Sequence, residues 1–172
     1  MGTNQRAAIR MTDDEVNTFL EQSRTATMAT VGPTGLPHLV AMWYGLLDGK
    51  VCFETKTKSQ KVQNLRRDPL IACMVEAGQT YDELRGVSIE GRATIIEDLE
   101  SDAYWAAGIS LFERYNGPYT AEMRPFVETM MNKRVVVVVE PERIRSWDHR
   151  KLEMAKMQLA GSTAAYVAAG PG

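Results

Sequence analysis

Between Thr25 and Thr55 the chain alternates β-rich runs with tight-turn signals, and this alternation limits the folds open to it. "TATMATV" and "PHLVAMWYGLL" flank Gly32-Pro33-Thr34-Gly35, and Asp48-Gly49 joins the second run to "KVCFET". Asp-Gly between two such runs is a hairpin cue, because a two-residue hairpin turn needs positive φ at both central positions. Parallel neighbours need a crossover of about a dozen residues or more. These turns leave no room for one. We therefore expect a three-strand antiparallel meander here. "LIACMVE" adds a strand, "GVSIEGRATIIED" adds another with a bulge at Gly91, and "KRVVVVVEPERIRSWD" adds one or two more.

Helical signals lie around these strands. "MTDDEVNTFLEQS" has Thr12 and Glu15 at capping-box spacing, with Val16, Phe19 and Leu20 on one face. "SQKVQNLRRDP" has Val62 and Leu65 three apart and stops at Pro69. Leu99 to Tyr115 reads as a helix. "AEMRPFVETMMN" reads as another, with a kink expected at Pro125. About six antiparallel strands with short helices imply a mainly β fold, a small β-barrel with peripheral helices. With 172 residues, we expect one domain over 1–150. An Ala/Gly-rich C-terminal extension over 151–172 is expected to be partly flexible.

The formal net charge is −2, so any anion site must be local. "TKTKSQKVQNLRRDP" supplies one, with Lys56, Lys58, Lys61, Arg66 and Arg67 opposed only by Asp68. The strand "VCFET" places Thr55 at its end, and the following helix places Ser59 near its N-cap and Lys61 in its first turn. Helix N-termini carry free N–H groups and partial positive charge, which suits a phosphate. A capped, solvated basic helix accounts for the same residues. Nucleic acid is disfavoured as a partner, because single-strand binders interleave aromatics with their basic residues and this segment has none.

Hydrolytic and metal chemistry are poorly supplied. The two histidines, His38 and His149, are far apart. Ser146, Asp148 and His149 are sequence neighbours that alternate across a strand rather than form a triad. No metal-ligand spacing occurs. Cys52 and Cys73 read as reduced, buried thiols of a cytoplasmic protein. The run Val135 to Val139 is too short to span a bilayer, so no membrane association is expected. A local anion site without an evident acid, base or nucleophile fits chemistry that belongs to a bound cofactor.

The segments "ATVGPTGLPH", "KVQNLRRDP" and "EGRA" together resemble the pyridoxamine 5′-phosphate oxidase-like split β-barrel family. The likeness is strongest to the actinobacterial branch that uses the deazaflavin coenzyme F420. The resemblance spans roughly residues 10 to 150 and implies a split β-barrel. It implies a homodimer with cofactor sites at the subunit interface, and a hydride-transferring oxidoreductase acting on a small-molecule substrate. It places the phosphate site on Thr55, Ser59 and Lys61, with Lys56 and Lys58 adding charge, and the ring-binding strand on Val40 to Trp43, including Ala41 and Met42. Trp147 is implied as a residue reaching in from the other subunit. Gln60 stands where FMN-using oxidases often carry arginine. The lead expectation is therefore F420. FMN, or a non-catalytic cofactor-binding protein of the same fold, is the alternative.

Overall fold

A computed structural model describes residues 5–159. In chain order the elements are α1 (Gln5–Ala8), α2 (Asp13–Gln22), β1 (Thr25–Val31), β2 (Pro37–Trp43), β3 (Gly45–Leu47), β4 (Lys50–Lys56) and α3 (Gln60–Arg67). They continue with β5 (Leu70–Ala77), β6 (Arg85–Ile96), α4 (Asp102–Asn116), α5 (Arg124–Met131) and β7 (Arg134–Asp148). The capping box starts α2: the Thr12 hydroxyl accepts from the Glu15 N–H, and Glu15 Oε2 accepts from the Thr12 N–H at 2.7 Å. The helix buries Val16, Phe19 and Leu20 as its spacing requires.

All strand pairs are antiparallel, and the sheet runs in the order β2-β1-β5-β6-β7-β4-β3. The two end strands, β2 and β3, are separated in the chain only by Tyr44. The sheet must therefore curl until its ends nearly meet, which gives the expected split barrel. The three-strand meander is corrected here: the run 37–47 breaks at Tyr44, and β2 and β4 lie near opposite ends of the order. Helix α4 provides the physical reason. The Tyr44 N–H donates to the Tyr115 hydroxyl at 2.9 Å, Arg114 Nε donates to the Tyr44 carbonyl at 3.0 Å, and the Tyr44 hydroxyl donates to the Leu20 carbonyl. Side chains of α4 thus replace the ladder partners at the seam, and the buried backbone stays satisfied.

The Asp-Gly hairpin forms as its residues demand, with φ of 50° at Asp48 and 75° at Gly49. The bulge also forms. Register slips between Glu90 and Gly91, which face Arg143 and Pro141. A Cβ at Gly91 would lie 1.9 Å from the Glu140 carbonyl oxygen, so only glycine fits. The extra residue of the bulge is Glu142 on β7, next to Pro141, and "RVVVVVEPERIRSWD" is one continuous strand. Pro125 sits in the first turn of α5, where it starts the helix instead of kinking it.

Two cores explain the valine run. Val135, Val137 and Val139 pack inside the barrel with Met28, Phe53 and Val87. Val136 and Val138 pack outside it, with Cys52, Tyr104, Phe112, Val127 and Met131 under α4 and α5. A strand buried on both faces needs no polar alternation. Cys52 and Cys73 are free and buried, and burial pushes both thiols up to about 12. Of the C-terminal extension, residues 160–172 lie outside the described ones. No helix among the described residues is long and apolar enough to cross a membrane.

Candidate functional site

At the turn from β4 into α3, Thr55 is buried at 4% exposure. Lys61 Nζ donates to Thr55 Oγ1 at 3.1 Å, and the Thr55 and Ser59 hydroxyl oxygens are 3.3 Å apart. The structure therefore brings together Thr55, Ser59 and Lys61. Ser59 occupies the N-cap position with φ −69° and ψ 152°, but its hydroxyl makes no capping bond. The Val62 and Gln63 N–H groups already reach the Ser59 carbonyl. Those of Gln60 and Lys61 have no intrahelical acceptor. Burial holds Lys61 below the usual lysine range, and the nearby Arg134 charge adds to the effect. Among the described residues no carboxylate forms an ion pair with Lys61. A desolvated cation, two hydroxyls and two open N–H groups at a helix start match the donor set of a phosphate.

Lys56 and Lys58 are exposed at the rim of this cradle. Arg66 is drawn away to Glu97 at 2.7 Å, and Arg67 to the Val31 carbonyl. Gln60 Nε2 donates to Asn64 Oδ1 at 2.8 Å, and Asn64, fully buried, donates on to Thr30 Oγ1 at 3.0 Å. The Gln60 amide is thus engaged along the helix.

Strand alternation turns Glu54 to the other side of the sheet. It lines a cavity of about 280 Å³ with Met42, Trp43, Leu111, Tyr115, Asn116, Met130 and Arg134. Trp43, 62% exposed, stacks on Tyr115 with ring centroids 4.3 Å apart and planes 8° apart. Met42 and Trp43 both line this cavity, although the Met42 side chain also packs against the barrel core, while Ala41 lies exposed on β2 outside the lining. The Glu54 side chain is only 8% exposed; its Oε1 accepts from Arg134 Nη1 at 2.9 Å, and its Oε2 is buried without a hydrogen-bond partner. Burial outweighs the attraction of Arg134 and pushes this carboxyl up to about 7. A wider hollow of about 370 Å³ between Pro37, Leu70, Ala72 and Gly91 has only Glu90 and Glu142 as charged lining groups, so it offers nothing to an anion.

Trp147 is not part of this arrangement within one chain. It opposes Gly86, whose missing Cβ makes room for the indole, at the far end of β7 from Arg134. Its neighbours go separate ways: Ser146 Oγ accepts from the Met11 N–H, Asp148 pairs with Arg150, and His149 Nδ1 lies 2.8 Å from the Tyr81 carbonyl. No triad forms among them. Reading the sequence missed Glu54, Tyr115 and Arg134. The available signal was a lone acid in the otherwise apolar run "VCFET"; its partners are remote in sequence and carried no mark.

Comparisons with known proteins bear on the fold and the family. A solved structure of a conserved hypothetical protein from Mycobacterium tuberculosis is 55% identical, covers 94% of this chain and 100% of its own, and superposes with a TM-score of 0.89. A solved F420 reductase is 30% identical over 74% of this chain and 94% of its own, with a TM-score of 0.55. A pyridoxine/pyridoxamine 5′-phosphate oxidase of Cupriavidus pinatubonensis is 30% identical over 57% of this chain, and the match spans 45% of that protein's length. The family described as pyridoxamine 5′-phosphate oxidase matches residues 12–148. The curled antiparallel sheet and this match lead to one conclusion: the chain belongs to the pyridoxamine 5′-phosphate oxidase family.

Proposed function

We propose that the chain is an oxidoreductase that holds a flavin-type cofactor by its phosphate in the Thr55–Ser59–Lys61 cradle, with the ring beside Met42 and Trp43. The observation that carries this reading is Lys61. It is a half-buried cation at a helix start whose hydrogen-bond partner is the neutral Thr55 hydroxyl. Such a ring, when bound, supplies two-electron chemistry that side chains do not. The chain's own residues do the rest. Lys61, Ser59 and the open N–H groups of α3 bind the phosphate, and Thr55 orients the lysine. Trp43, Met42, Leu111 and Met130 exclude water from the cavity.

FMN is the leading identity, because the curated relatives are pyridoxine/pyridoxamine 5′-phosphate oxidases. The sequence-based lead for F420 becomes the second reading. Two observations favour it: the similarity to an F420 reductase, and Gln60, an uncharged amide that already bonds Asn64. Exposed Lys56 and Lys58 would then meet the anionic tail of F420.

The proposed assembly is a homodimer with the cofactor between subunits. Leu39, Trp43, Leu70 and Ile144 are exposed on strands β2, β5 and β7, between 45% and 64%, and leave apolar surface for a partner. An obligate interface would bury more than about 2,000 Å² in total. Trp147 would reach the site only from the partner subunit. Side-by-side titrations with FMN and F420, followed by turnover assays with the reduced forms, test the reading. Saturable binding with reduction of some acceptor is expected. Tight binding without turnover across a broad acceptor panel would favour a cofactor carrier, and failure of both cofactors to bind would overturn the proposal.

A further inference from the structure

The cavity on the other side of the sheet from the cradle contains a charged group that the cofactor reading does not use. Glu54 is nine-tenths buried and lines the cavity. One of its oxygens is held by Arg134 and the other has no partner. An unpartnered buried carboxylate oxygen is costly, so such a group is either protonated or completed by a ligand. The other groups acting around it are few. Arg134 comes from β7, Tyr104 and Tyr115 from α4, and Cys52 from its own strand. Both Tyr104 and Cys52 are held in their neutral forms by burial. Lys61 touches this network only through the charge of Arg134. Arg134 is therefore the one cation in contact with the carboxyl among the described residues. It can stabilise the carboxylate after a proton has left.

We infer that Glu54 is the proton-exchanging group of the Trp43–Tyr115 cavity, and that the cavity takes a small planar molecule presenting a hydrogen-bond acceptor to the Glu54 carboxyl. The planar shape follows from the stacked aromatic wall, and the acceptor from the lone unpartnered oxygen, which donates a proton when the acid is neutral. The step is a proton transfer. The carboxyl O–H bond breaks, an O–H or N–H bond forms on the ligand, and the electron pair stays on the carboxylate beside Arg134. No electron changes hands in it. If the ligand is reduced, its hydride comes from the reduced flavin-type cofactor of the proposed function, on which the catalytic part of this inference rests. Because Glu54 is pushed up to about 7, its neutral and charged forms exchange near neutral pH.

The test needs no cofactor. Infrared difference spectra of the apoprotein are recorded across the neutral range for the parent, Glu54→Gln and Arg134→Met. A protonated carboxyl band is expected to titrate near neutrality in the parent and to be absent from Glu54→Gln. Its midpoint is expected to rise in Arg134→Met, because the adjacent cation that favours the carboxylate is gone. Acetophenone serves as the planar acceptor probe, and ethylbenzene, which lacks the acceptor, as its control. Acetophenone is expected to bind about tenfold more tightly near pH 6 than near pH 8.5 in the parent, with no such difference for ethylbenzene or for Glu54→Gln. No neutral titration in the parent, or an acetophenone pH dependence that persists in Glu54→Gln, overturns the inference. Either result leaves the cofactor reading standing, and failure of FMN and F420 to bind removes only the catalytic part of this inference, not the titration or the ligand binding.

Discussion

Glu54 and Thr55 are consecutive on β4, yet they serve opposite sides of the sheet. Thr55 turns inward to a cradle built almost wholly from one local segment, the strand end, the turn and the first turn of α3. Glu54 turns outward to a cavity whose other walls come from β2, α4, α5 and β7. The cradle holds a cation without a counter-charge. The cavity holds an acid whose counter-charge is outweighed by burial. One side is suited to hold an anion and the other to hold a proton, and Arg134 acts electrostatically on both. Removing charge on the two sides should therefore have different consequences: a loss of ligand on one, a pH-dependent loss of fold on the other.

Arg134→Met should separate the two sides by its pH dependence. With Glu54 left without its cation, the acid takes up a proton rather than stay charged, so the fold should lose roughly 1.4 kcal/mol near pH 8 from this source. The loss should be much smaller near pH 5, where the acid is neutral. Denaturant titrations at the two pH values check this, and equal losses at both would detach Arg134 from the acid. Lys61→Ala should leave fold stability almost unchanged but weaken phosphate-bearing ligands by roughly 1.5–3 kcal/mol. A destabilised fold with intact binding would reverse the comparison.

Glu54→Gln sharpens the acid side. The folded value of Glu54, about 7, lies above its ordinary 4.5. Its contribution to stability is thus fully present below about pH 4.5 and lost as pH rises through 7. Relative to the parent, the glutamine variant should gain roughly 2 kcal/mol between about pH 5 and pH 8, with allowance for solvent entering the cavity. Parallel stability curves across that range would show that Glu54 does not titrate there. The smallest effect is expected from Lys56→Ala with Lys58→Ala, at most about 1 kcal/mol of binding and lost in high salt. It should be seen with F420 rather than FMN, because only F420 carries an anionic tail.

The same contrast explains what the sequence could reveal. The capping box at Thr12 and Glu15, the Asp48-Gly49 hairpin and the cradle are all set by residues within a few positions of one another. Their chemistry is therefore written locally. The break at Tyr44 is not local, because Arg114 and Tyr115 of α4 satisfy its backbone. Nor is the acid site. Only the pairing of β4 with β7 brings Arg134 to Glu54, and only α4 supplies the stacked Tyr115. A charged residue in an apolar strand was visible, but its environment depended on contacts that no spacing rule encodes. Trp147 shows the same limit from the other side: the fold holds it against Gly86, away from the cradle of its own chain.

The central claim is that the Thr55–Ser59–Lys61 cradle recognises a phosphate on a flavin-type ring. The most direct measurement compares FMN with riboflavin, which has the same ring but no phosphate, by quenching of tryptophan fluorescence in the parent and in Lys61→Ala. For the F420 reading, the pair is F420 and its phosphate-free deazaflavin core. The parent should bind the phosphate-bearing member of at least one pair about tenfold or more tightly than its partner, as one charge-assisted contact predicts. Most of that gap should vanish in Lys61→Ala. Equal affinities within each pair in the parent, or an undiminished gap in the variant, would contradict the account.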